Sequence, residues 1–178
     1  MRSREDMKTH EYDDLLFGVR RSIRYHSRRQ AFFEGVNRWT NFLLLLFGSG
    51  TVALAVQDRP SWILGLGLGV ALVSSLKLVF AFAVKATQHA QFVRDFTLLE
   101  KRLRTDASEE TVMAVTQERL DLEALEPPVM QVLDVLCHND LLRAMGYADE
   151  KEQVAVTWWQ RQTAHFFNFG THRLAKGG

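Results

Sequence analysis

The chain has 178 residues, 24% of them charged and 47% hydrophobic, and a formal net charge of +1 at pH 7. That near balance argues against a dedicated nucleic-acid binder, whose affinity rests on an excess of cations. The lone Cys137 excludes an internal disulfide or a cysteine-rich metal site, and the charged first forty residues lack the apolar core of a signal peptide.

Met1 to Thr9 is polar and is expected to fray. From Glu11 the pattern is helical, with Tyr12, Leu16, Val19 and Ile23 on one face and arginines on the others. Arg20, Arg21, Arg24, Arg28 and Arg29 admit three uses: a topology signal on a solvated face, contacts to anionic lipid headgroups, or contacts to phosphate.

Two apolar arms follow, Trp39 to Val56 and Trp62 to Val84, roughly 18 and 23 residues against the ~20 that cross a bilayer core as helix. A buried soluble hairpin is the alternative, but arms of this length exceed buried core helices, and the remaining segments offer only narrow apolar stripes. The basic residues lie before the first arm and after the second, and the connecting QDRPS holds only Arg59. Both termini are therefore expected on the cytoplasmic side of the inner membrane, with Trp39 and Trp62 at headgroup depth.

Small residues punctuate both arms. Gly48 lies in the first, and Gly65 and Gly69 form a GxxxG pair in the second, where they would let helices approach closely. The run GLGLGV lacks the third glycine and the strand context of a dinucleotide fingerprint. Lys77 is the one full charge well inside an arm, and it can line a polar passage or inter-subunit cavity, snorkel under strain, or make a structural bond to a carbonyl or serine. Thr51, Ser74 and Lys77 are the candidates for the lining of a pore.

Beyond Val84 the helix is expected to continue, with Phe92, Phe96, Leu99 and Leu103 as an apolar stripe. His89 reads as a packed or solvated histidine. Asp106 and Glu109 are placed to cap the next helix, which ends at Pro127-Pro128. The following helix carries Leu133, Cys137 and Leu141 on a broad apolar face and stops at Gly146. Asp134 and His138 are four residues apart there and read as a helix-surface ion pair, since no nucleophile or third ligand accompanies them. The segment EKEQVAVTWWQRQTAHFF reads as a last helix. Its Trp158, Trp159, Phe166 and Phe167, beside Arg161 and His165, suit either a helix lying on the inner leaflet or packing onto the helical bundle.

The stretch LLFGVRRSIRYHSRRQAFF before the hairpin, QHAQF after it, and above all the segment from Pro127 through Cys137-His138-Asn139 to Tyr147, followed by WWQRQTAHFFNF, resemble the SMODS- and SLOG-associating two-transmembrane effector family, SLATT. The resemblance covers almost the whole chain. It implies a place in a prokaryotic antiphage system, in which such domains are proposed as pore-forming or membrane-disrupting effectors or as membrane-bound accessories.

The expectation is an all-α membrane protein in three parts: a basic helix at 1–38, a two-span hairpin at 39–84 and a helical region at 85–178. Its function is expected to be that of a homo-oligomeric membrane effector, because two spans per chain cannot enclose an aqueous passage. The alternative is a membrane anchor or scaffold for a soluble defence complex. The expected partners are lipid, further copies of the chain and a separately encoded soluble sensor or effector. No paired carboxylates, metal cluster or phosphate loop suggests an enzyme, a metal or a cofactor.

Overall fold

The structure is a computed structural model that describes residues 4–56, 60–146 and 153–165. Six helices occupy these residues, with no strand among them: α1 (Arg4–Val56), α2 (Pro60–Phe80), α3 (Phe82–Thr105), α4 (Glu109–Leu125), α5 (Gln131–Ala144) and α6 (Trp158–Thr163). Helix α1 begins at Arg4 and runs without a break into the first apolar arm. The chain divides into two compact units, residues 1–28 with 90–178 and residues 29–89. The boundaries between these units fall at Arg28/Arg29 and His89/Ala90.

In the first unit the apolar stripes find one another. Leu15 and Val19 of α1, Phe96, Leu99 and Leu103 of α3, and Val112 and Val115 of α4 form one buried cluster, flanked by Tyr12, Leu16 and Ile23. Full burial of one such side chain is worth about 1.5–3 kcal/mol. Gly18 permits a close approach: a Cβ there would lie 2.5 Å from the Arg119 guanidinium, which crosses α1 at this point. A second cluster joins Tyr25 to Val132, Leu133, Leu136 and Cys137 of α5 and to Ala164.

The junctions between helices are held by side chains. Ser108 caps α4 by accepting from the Thr111 N–H, while Asp106 accepts from the Ser108 N–H and hydroxyl and from the Thr111 hydroxyl. Asp106 therefore braces the cap rather than forming it with Glu109. Met130 has no side-chain cap of its own at the start of α5; instead its N–H donates to the Tyr25 hydroxyl at 2.9 Å. Gly146, at φ 84°, closes α5 in the left-handed conformation that a Cβ would oppose.

The last helix is shorter than its pattern suggests. Thr157 and Gln160 form a reciprocal capping box, so α6 starts at Trp158. The preceding chain is tied to α5 by Asn139, which donates to the Val154 carbonyl at 2.7 Å and accepts from its N–H at 3.1 Å. One amide side chain thereby does what a neighbouring strand would do.

The second unit is the hairpin. An added Cβ at Gly50 would lie 3.0 Å from Leu66, and one at Gly69 would lie 3.2 Å from the Phe47 ring. Farther along, Lys77 donates to the Asn41 side-chain oxygen. These pairs fix an antiparallel register in which 41, 47 and 50 face 77, 69 and 66. Pro60 opens α2, where a missing N–H costs nothing. Between α2 and α3, Ala81 takes φ 47° although the helical bonds continue, Ala81 N–H to Lys77 O at 3.0 Å and Lys85 N–H to Ala81 O at 3.1 Å.

Replacing Asn139 by alanine removes both bonds to Val154 and should destabilise the first unit by about 1–3 kcal/mol. Thermal unfolding of the detergent-solubilised chain reads this as a lower Tm; a Tm equal to that of the wild type would dismiss the role given to Asn139.

Candidate functional site

Two regions gather the residues that the sequence singles out. The first is the hairpin. Among the described residues one helix, Pro60–Thr105, is long and apolar enough to cross a membrane, with a hydropathy of 2.1 over its most apolar stretch and none of that stretch buried. Among the described residues the first arm is not singled out by this measure.

The polar groups of the arms are largely occupied locally. The hydroxyls of Ser49, Thr51 and Ser75 each donate to the carbonyl four residues earlier at 2.8 Å, which satisfies a donor in an apolar setting. Ser74 is exposed and makes no hydrogen bond among the described residues. Thr51, Ser74 and Lys77 are not brought together: the register sets Thr51 near Leu66, about 12 Å of helix rise from Ser74. Lys77 lies level with Asn41, close in sequence to Trp39. Gly48 and Gly65 meet nothing within 4 Å, whereas Gly69 receives the Phe47 ring. Trp39 and Trp62 are 68% and 65% exposed.

Near the base of the hairpin, Phe33 stacks on His89 with ring centroids 5.6 Å apart. The Arg29 guanidinium lies over the same ring at 4.6 Å and the Lys85 ammonium at 5.7 Å. His89 is buried there, at 3% exposure.

The second region is the arginine-rich part of α1. Arg20 pairs with Glu100 at 2.9 Å, Arg21 with Asp134 at 3.3 Å, and Arg28 with Asp140. Arg24 has no ion pair among the described residues. Most of the basic cluster is thus spent on the helices packed around it. Asp134 pairs with Arg21 of α1 and also feels the charge of His138, whose ring meets Phe17 edge-on at 5.2 Å.

Sequence reasoning missed His26. It is fully buried, its Nε2 lies 2.9 Å from a Glu126 carboxylate oxygen, and its ring stacks on Phe92 at 4.8 Å and Phe96 at 5.7 Å. Its place between Tyr25 and Ser27 gives no periodic signal that would separate it from the polar face. A cleft of about 820 Å³ between α3 and α4 was missed too; Leu98, Leu122 and Leu125 line it, with Asp95, Glu118 and Asp121 also in its wall. Trp158 and Trp159 are 61% and 72% exposed, while Phe166 and Phe167 lie outside the described residues. Among the described residues no group of histidine, cysteine and carboxylate side chains is placed to hold a metal.

No protein-family model matches this chain, no curated protein matches it, and no solved structure matches its fold.

Burial pushes the Cys137 thiol up to about 12, and the thiolate is the reactive form. Native protein at pH 8 should resist iodoacetamide and become labelled only on unfolding; rapid native labelling would contradict the buried placement. Burial also raises the Asp134 carboxyl above its ordinary 3.8, against the opposing pull of Arg21 and His138. A carboxyl that holds its proton more tightly when folded costs stability as the pH climbs from the unfolded value through the raised one. Thermal unfolding across a pH series should therefore show Asp134→Asn gaining on the wild type as pH rises past 3.8; a constant difference would refute it.

Proposed function

We propose that this chain is a SLATT-type membrane effector of an antiphage system, in which several copies assemble their hairpins into a pore or a membrane-disrupting cluster. The observation that carries the membrane half of this reading is the apolar surface of α2. The helix has no buried residue, and Leu64, Leu68, Leu72, Leu78 and Val79 are 62–83% exposed. In water such a surface would be penalised at about 25 cal/mol per Å². Hydrocarbon removes the penalty.

The first arm supports a second span, since Phe42, Leu45, Leu46 and Val52 are likewise 51–71% exposed. Arg20, Arg21, Arg24, Arg28, Arg29 and Arg38 before the arms and Lys85 and Arg94 after them support an orientation with both termini on the cytoplasmic face of the inner membrane. The open faces at Gly48 and Gly65 leave room for the backbone of a neighbouring copy. Lys77, level with Asn41, would stand at a pore mouth and favour anions there. The antiphage context rests on the sequence resemblance.

A second reading, a membrane scaffold for a soluble partner, is favoured by the cleft between α3 and α4, whose apolar lining and mixed charges suit docking. The two readings share the hairpin and differ in whether current flows.

The chain should sediment with membranes and resist alkaline extraction; recovery in the supernatant without detergent would end the membrane reading. In planar bilayers the wild type should conduct with a preference for anions, and Lys77→Glu should move that preference toward cations. Membrane insertion without conductance, together with a soluble protein retained through purification, would transfer the function to the scaffold.

A further inference from the structure

Along α1, Arg20, Arg24 and Arg28 recur every four residues and share one stripe. The two outer members are partnered alike. Glu100 accepts from Arg20 at 2.9 Å and from Arg104 at 3.1 Å, and Asp140 serves Arg28 and, at 3.0 Å, Arg143. Each carboxylate is thus divided between two guanidiniums, and Arg24 stands between them with no partner of its own among the described residues. Five guanidiniums against two carboxylates leave three positive charges in excess on α1, α3 and α5. Each guanidinium offers five N–H donors, so one shared carboxylate leaves most of them unused.

A cleft of about 450 Å³ opens here. Its lining combines the cations Arg20, Arg24 and Arg104, and the Glu100 carboxylate that Arg20 and Arg104 share, with the apolar side chains of Ile23, Leu141 and Met145, so three positive charges face one negative. The size falls in the ~300–1,000 Å³ range of small-molecule sites. Converging cations call for an anion of more than one charge and more than two acceptor oxygens, which describes a phosphate better than a carboxylate. The apolar lining calls for a ring or a hydrocarbon portion attached to it.

We propose that this cleft binds an organic phosphate, with the phosphate group held by Arg24 and flanked by Arg20 and Arg104, and the ring or hydrocarbon portion laid over Ile23, Leu141 and Met145. Soluble nucleotides and phospholipid headgroups both carry this chemistry. The site lies within the first unit and is independent of whether the hairpin conducts.

The test is calorimetric titration of the full, detergent-solubilised chain with adenosine 5′-monophosphate, with dioctanoyl phosphatidic acid and with inorganic phosphate. At least one of the two esters should bind more tightly than inorganic phosphate, and Arg24→Ala should weaken that binding about tenfold or more, as expected for charge-assisted hydrogen bonds. Arg102→Ala, which removes the ion pair to Glu118 outside this cleft, should leave it unchanged. Preference for the nucleotide assigns a soluble ligand, and preference for phosphatidic acid assigns a headgroup. Because Arg24 is exposed and holds no partner among the described residues, Arg24→Ala should keep the wild-type Tm, which separates a lost site from a lost fold. The proposal is overturned if the wild type binds none of the three probes saturably, if inorganic phosphate binds as tightly as both esters, or if Arg24→Ala binds as the wild type does.

Discussion

His26 is sealed from solvent and must therefore find its hydrogen bond inside the protein. It finds it in Glu126, the residue that ends α4 immediately before Pro127-Pro128. A carboxylate can only accept, so Nε2 carries the proton of that bond. The flanks of the imidazole are filled by Phe92 and Phe96, and Tyr25 meets it edge-on at 5.2 Å. One side chain of α1 thereby fixes the position of α3 and the chain reversal between α4 and α5. Tyr25, its neighbour in sequence, receives the first N–H of α5, so two adjacent residues govern how the first unit closes.

The apolar stripes of this unit were legible because they follow helical spacing. Val19 with Tyr12, Leu16 and Ile23, and Phe96, Leu99 and Leu103 with Phe92, can be picked out without coordinates, and the structure packs them together. The polar ties were not legible, because a partner eighty or a hundred residues away leaves no local trace: Arg20 with Glu100, Tyr25 with Met130 and His26 with Glu126 are of this kind. The segment Cys137-His138-Asn139 shows the difference most clearly. Its unusual composition stands out, and its roles emerge only in three dimensions. Cys137 fills the core, His138 leans on Phe17, and Asn139 pins the chain at Val154.

In the hairpin, spacing identified the apolar arms but could not supply their register. That register changes the meaning of Lys77. Counted along its own arm it is an interior charge; facing Asn41, it belongs to a polar level near Trp39. The hydroxyls of Ser49, Thr51 and Ser75 turn back onto their own helices, so hydroxyl content alone was a poor guide to which faces remain available. The arginine cluster was visible as a block of charge, whereas its division into partnered residues and the one left over required the acids of α3 and α5 to be in place.

Ala81 carries a consequence of another kind. A methyl-bearing residue in the left-handed region stores about 1–2 kcal/mol, and here it does so inside the most apolar helix of the chain. That torsional cost is confined to a single joint between α2 and α3, with the helical bonds intact on either side of it.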